Sequence, residues 1–221
     1  MSKFISTETP VQKLEYSKAW EFLTETEKNY AFFLEKASWA GAKMVFHQIS
    51  YESPALFLIF QAYFQERDFL ALEQSAFEAG VTQDEYKQFI AYVAGFYGNM
   101  SNYHNFGDMK FVPQISPEVF IKILQSSPLW ADEDAFYKEV IEELYPQVEA
   151  EIFEVEKPYT QLNFPEEGGV TGYFGRNMTK EDLALVDKFA ASQNIDILNT
   201  RAFKKDDKYI LTVGSIDESA S

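Results

Sequence analysis

Cysteine is missing altogether from the 221 residues, so no disulfide can staple the fold and no thiolate is offered to a metal. Histidine is nearly missing: His47 and His104 stand 57 positions apart, with no His, Cys, Asp or Glu pattern of metal-ligand spacing around either. Positive charge is also short, 19 Lys and Arg against 35 Asp and Glu, giving a formal charge of −16. Such a balance repels phosphate backbones and anionic membrane surfaces, which argues against nucleic-acid and lipid partners, while cationic peptide termini are weakly attracted. No apolar run approaches the roughly 20 residues a bilayer requires, and the richest, PALFLIFQAYF from Pro54, is broken by Gln61. The opening MSKFISTETPVQKLEY has no uninterrupted apolar stretch of the secretory kind. A cytoplasmic location is expected, and the two sequons beginning at Asn99 and Asn177 are read as chance.

What is present is apolar and aromatic: 46% hydrophobic residues, 17% of all residues aromatic, over a length sufficient for a substantial core. Residues 1–15 are polar and read as a loose segment. Thr24 with Glu27 forms a capping box, after which Tyr30, Phe33, Leu34, Ala37, Gly41, Met44, Val45 and Gln48 recur at helical spacing and predict an inward stripe, with Gly41 admitting a close neighbour. Ser53 before Pro54 predicts a cap for a helix burying Leu56, Phe57, Phe60, Tyr63 and Phe64. Asp68 opens and Gly80 closes the next helix. Thr82 with Glu85 caps one that carries Tyr86, Phe89, Ile90, Val93 and Phe96 inward. Ser116-Pro117 starts a fifth helix, with Phe120, Ile121 and Leu124 inward. Residues 131–145 read as a sixth, with Phe136, Val140, Ile141 and Leu144 inward. Ten acidic residues against one basic residue over 132–156 are the solvated face of such helices.

Beyond Pro158 glycines and prolines punctuate the chain. An extended piece near 170–174 is followed by a helix capped by Thr179, with Leu183, Val186, Phe189 and Ala190 inward. Strands are predicted over 197–203 and 208–213, joined by a turn at 204–207. The fold class expected is α+β and predominantly α-helical, with a loose segment (1–15), a helical region (16–157) and a mixed β/α region (158–221). A lone hairpin is marginal and leaves edges to pair, so more sheet is expected around it, with both faces of the second strand buried.

The segment from Tyr97 to Pro113, YGNMSNYHNFGDMKFVP, combines rings, amides and permissive glycines. Such a loop either lines a cleft or plugs the core with its aromatics. NYHNFGDMKFVP resembles the run N-Y/F-x-S/N-F-G-D-x-K-F-hydrophobic-P of the dipeptidyl peptidase III family of zinc exopeptidases. GYFGRNMTKEDLALVDKFAASQNIDILNTRAFK, from Gly172, is similar to the family's later run of Y-F, T-x-E-D and N-T-R, and LTETEKNYAFFLEKASWAG, from Leu23, to its first helix. The resemblance spans residues 16–214, with His104 and Asn105 departing from several members.

The resemblance implies the N-terminal lobe of such an enzyme. Its small β-barrel would be completed by later sequence, its substrates would be short peptides cut after the second residue by metal-activated water, and Phe106 would sit in the cleft wall with Tyr103 and Asn105 beside it. The family's zinc helix, H-E-x-x-x-H, does not occur here. Catalytic residues, metal ligands and the zinc-bearing lobe are therefore expected outside this chain, which alone is predicted inactive. His104 reads as an exposed loop histidine, His47 as a partner of its helix dipole, and Arg201 as paired with an acid. The alternative reading is a non-catalytic, mostly helical acidic protein-interaction module.

Overall fold

The computed structural model describes residues 2–10, 12–65, 68–105, 107–131, 135–164, 167–171, 173–175, 177–197 and 200–213. Capping chemistry sets most of the helix starts. After a short α1 (Ser17–Glu21), α2 (Glu25–Ile49) begins at Thr24, whose hydroxyl accepts from the Glu27 amide while the Glu27 carboxylate accepts from the Thr24 amide at 2.8 Å. Proline in the first turn opens α3 (Ser53–Tyr63), and Asp68 caps α4 (Phe69–Glu78). Thr82 and Glu85 repeat the reciprocal cap for α5 (Gln83–Asn99), and Ser116 caps α6 (Pro117–Gln125). The short α7 (Pro128–Ala131) precedes α8 (Ala135–Phe153), which contains Pro146. Thr179 and Asp182 start α9 (Lys180–Ser192). The antiparallel strands β1 (Thr200–Lys205) and β2 (Lys208–Val213) follow, with Thr200 opposite Val213 and Lys205 opposite Lys208. Their turn places Asp206 and Asp207 at φ 50° and 59°.

Helices α2–α8 share one core, and its aromatics are its mortar. The Phe60 ring meets Phe89, Tyr92, Phe96, Tyr97 and Phe120 at centroid distances of 5.3–6.4 Å, mostly edge-on. Phe46 stacks on Phe57 and Phe96. Aromatic pairs of this kind add about 0.5–1.5 kcal/mol each beyond area burial. A second, small cluster joins Met178, Leu183 and Val186 to Phe174, Ala202 and Leu211, so α9 packs directly on the hairpin. Residues 2–10 lie against α5. Ile5 covers Gly95, the Lys3 carbonyl accepts from the Val112 amide at 2.8 Å, and Glu8 pairs with Lys87 at 2.7 Å.

The predominantly helical α+β class stands, but several inward faces differ from the sequence reading. Tyr30, Phe33 and Leu34 are 69%, 64% and 51% exposed, because α2 reaches the core only through its last turns, where Ala42 and Phe46 are buried. The helix expected over 131–145 is two elements, and α8 runs on through Pro146 to Phe153. Its buried stripe is Tyr137, Ile141, Tyr145, Val148 and Ile152, whereas Phe136 faces out. The tyrosines take the interior because their hydroxyls find acceptors there: Tyr137 donates to the Leu124 carbonyl at 2.6 Å and Tyr145 to the Pro117 carbonyl at 3.2 Å.

Ser53 lies inside α3 rather than capping it, its hydroxyl 2.7 Å from that of Ser50. Ile123 rather than Ile121 is fully buried on α6, and Phe189 of α9 is exposed. β1 begins at Thr200, not 197, and residues 198–199 lie outside those described. In β2 both Tyr209 and Ile210 are at least 40% exposed, so burial of both faces is not reached within this chain.

Candidate functional site

The segment after α5 turns because Met100 adopts a left-handed conformation at φ 58°. The chain then runs out and back as a tight hairpin. The Phe111 amide donates to the Asn102 carbonyl and the His104 amide to the Met109 carbonyl, while Gly107 and Asp108 make the reversal at φ 94° and 53°. The return arm pairs on its other side with residues 160–162: Lys110 donates its amide to the Thr160 carbonyl, and the Leu162 amide donates to the Asp108 carbonyl. Gln161 in turn accepts from Val170, and the Tyr173–Gly175 stretch bonds to Ala202 of β1. A narrow ribbon of backbone links thus connects the return arm at Asp108 and Lys110, through residues 160–162, Val170 and 173–175, to the hairpin.

A buried ion pair braces this ribbon. The Lys110 ammonium lies 2.9 Å from a Glu52 carboxylate oxygen, with both side chains at most 2% exposed. That oxygen also accepts from the Asn102 amide group at 2.9 Å, and Lys110 further donates to the Glu151 carbonyl. The Tyr103 and Tyr159 rings flank the ammonium at 5.6 and 5.2 Å. Below the pair, burial and then the Glu52 charge push ionisation of the Tyr92 phenol well above its ordinary range.

A cavity of about 350 Å³ opens beside the brace, lined by Tyr51, Glu52, Gln147, Glu151, Tyr159 and Arg201 among others. Here the end of α2 meets β1. Arg201 lies 2.8 Å from His47 Nε2, and the Tyr173 hydroxyl donates to Gln48 at 3.4 Å. Partial burial, and secondarily the Arg201 charge, hold the His47 imidazole below its ordinary pKa. The neutral ring with its proton on Nδ1 accepts from the guanidinium. Among the described residues Arg201 thus meets a histidine rather than the expected acid, and His47 serves as an acceptor for Arg201 rather than as a protonated partner of its helix dipole.

Of the residues singled out from the sequence, Tyr103 is 1% exposed, with its hydroxyl donating to the Tyr159 carbonyl at 3.3 Å. Asn105 is exposed, and its backbone amide donates to the Asn99 side-chain oxygen at 3.0 Å. Phe106 lies outside the described residues. His104 is half-buried, its ring 4.9 Å from that of Phe111 and its Nε2 enclosed without a hydrogen-bond partner, so it is not the exposed histidine expected. Glu52 and Lys110 escaped the sequence reading, since a carboxylate ahead of a helix proline and a lysine in an extended run both resemble surface residues. The one available signal was that Lys110 stands between Met109 and Phe111 in an otherwise apolar arm.

Among the described residues no group of three or more His, Cys, Asp or Glu side chains could hold a metal ion. With His47 engaged by Arg201 and His104 against Phe111, the donors among the described residues do not fit a catalytic zinc. No helix among the described residues is long and apolar enough to cross a membrane.

The model of "Peptidase family M49" matches residues 144–221. Dipeptidyl peptidase 3 of Nematostella vectensis is 37% identical over 203 residues, 91% of this chain and 27% of that protein. The Homo sapiens dipeptidyl peptidase 3 is 35% identical over 89% of this chain and 26% of its own length. That of Dictyostelium discoideum is 31% identical over 97% of this chain and 29% of its own length. The chain therefore spans about a quarter of the length of these relatives.

Proposed function

We infer, for a chain homologous over 91% of its length to 27% of a dipeptidyl peptidase 3, that it is part of the lobe that does not carry the metal in an enzyme of that kind. The whole enzyme would release dipeptides from the amino end of short peptides in the cytoplasm, with residues 16–157 and 158–221 forming one lobe. That homology carries the reading, and the donor set agrees with it, since the zinc ligands and the groups doing the chemistry would have to come from sequence outside this chain.

What this chain contributes is a wall. Asn105 is exposed in the hairpin, where its amide can bond a peptide backbone, and the ring of the next residue in sequence, Phe106, is the candidate to cover an apolar substrate side chain. Tyr103, buried beneath, holds the tip through Tyr159 and the Lys110 ammonium. Asp108 and Gly107, both left-handed, fix the reversal beside Asn105. The net negative charge favours substrates with a free ammonium terminus, an attraction that salt weakens.

The purified chain with added zinc is expected to leave dipeptidyl chromogenic substrates uncut, and metal-dependent turnover by it would overturn the lobe assignment. In a complete enzyme carrying this segment, Phe106→Ala should raise KM or lower kcat. Unchanged values of both would remove Phe106 from the cleft wall.

A further inference from the structure

Helix α2 turns most of its apolar surface away from its own core. Tyr30, Phe33, Leu34, Met44 and Val45 follow one side at 69%, 64%, 51%, 50% and 39% exposure. Folded soluble proteins seldom leave contiguous apolar patches larger than a few hundred Å² without a partner. In the middle of this stripe sits Gly41, and a Cβ built there would meet nothing within 4 Å. Glycine inside a helix costs about 1 kcal/mol relative to alanine. Nothing among the described residues makes use of the gap, which suits the close approach of another backbone.

The relatives supply the candidate for that backbone: roughly three-quarters of their length has no counterpart here. A second copy of this chain is a poorer fit, because its approach would bring together two bodies each carrying a formal charge of −16. We propose that the exposed stripe of α2 is the seat of the remaining polypeptide of the dipeptidyl peptidase. One of its elements would cross at Gly41, with Tyr30, Phe33 and Leu34 closing on one side and Met44 and Val45 on the other. The proposal rests on the lobe reading above and adds the surface through which the chain is held.

The test mixes, or co-expresses, this chain with the polypeptide left when the homologous segment is removed from the Nematostella vectensis relative. Phe33→Glu and Gly41→Leu alter the stripe, and Leu185→Glu, at an exposed position of α9, is the control. All three sites are exposed or open, so the free variants should keep the parent circular dichroism and melting temperature. The parent and the control are expected to form the complex, with slowed hydrogen exchange over residues 30–45, and each stripe variant to bind at least tenfold more weakly.

Three results would overturn the proposal: stripe variants that bind within twofold of the parent, the absence of any complex, or self-association of the chain that Phe33→Glu abolishes. A complex indifferent to the stripe variants would remove the docking surface and leave the lobe reading in place. Zinc-dependent hydrolysis by the chain alone would do the reverse.

Discussion

Replacing Lys110 by methionine isolates the contribution of the buried brace. The substitution keeps most of the side chain's length and an apolar stem, but strands the Glu52 carboxylate at 1% exposure with the Asn102 amide group as its remaining side-chain donor among the described residues. It also removes the donor to the Glu151 carbonyl and the cation between Tyr103 and Tyr159. Removing one partner of a buried pair typically costs about 3–5 kcal/mol, since the survivor has lost both its water and its counter-charge. For a chain of this size roughly 2–4 °C of melting temperature corresponds to 1 kcal/mol, so a fall of roughly 6–20 °C is expected.

The double variant Glu52→Gln, Lys110→Met should recover more than half of the loss. A neutral amide can still bond Asn102, and burying a matched set of uncharged groups carries no ionic desolvation penalty. Urea unfolding followed by circular dichroism and by tryptophan fluorescence measures all three proteins and checks that one transition describes each. A single variant within about 1 kcal/mol of the parent, or a double variant no better than the single, would refute the claim that the pair's charges, rather than its packing, hold the ribbon.

Two further outcomes test neighbouring contacts. Because the folded His47 imidazole is held below its unfolded pKa, its contribution is complete above about 6.5 and is lost as pH falls through the lowered folded value. A titration followed by nuclear magnetic resonance should show this, and Arg201→Ala should move the midpoint only part of the way back, burial being the larger cause. A midpoint at or above the ordinary value would contradict the contact. Gly95→Ala would put a methyl 2.6 Å from the Ile5 side chain. The gain in helix propensity then opposes an overpacking cost of about 1–3 kcal/mol. Amide exchange at Val112, bonded to Lys3, should quicken while global stability changes by about 1 kcal/mol or less, and unchanged exchange would show that residues 2–10 do not depend on that gap.

Local chemistry proved the most readable level of this sequence. Thr24 with Glu27, Thr82 with Glu85, Asp68, Ser116, Thr179 and Gly80 announce helix ends because each satisfies backbone groups within four residues, and β2 occupies the residues its composition suggests. Which side of a helix faces in was harder to read. On α8 two tyrosines won the interior through carbonyls on α6, a circumstance that spacing within α8 does not contain. On α2 the apolar period is real, yet among the described residues nothing covers most of it. The Glu52–Lys110 pair joins positions 58 apart and the Arg201–His47 contact positions 154 apart, so local spacing does not reveal who pairs with whom.

The ribbon also limits how the hairpin tip can behave. Two amide hydrogen bonds, Lys110 to Thr160 and Leu162 to Asp108, rivet the tip's return arm to the stretch beyond Pro158. At about 0.5–1.5 kcal/mol net for each bond, swinging the tip alone would cost on the order of 1–3 kcal/mol before any side chain moved. A force on Asn105 would therefore tug on residues 160–162 and, through Val170 and Gly175, on the first strand, making the tip the end of a lever whose fulcrum is the salt-bridged lysine.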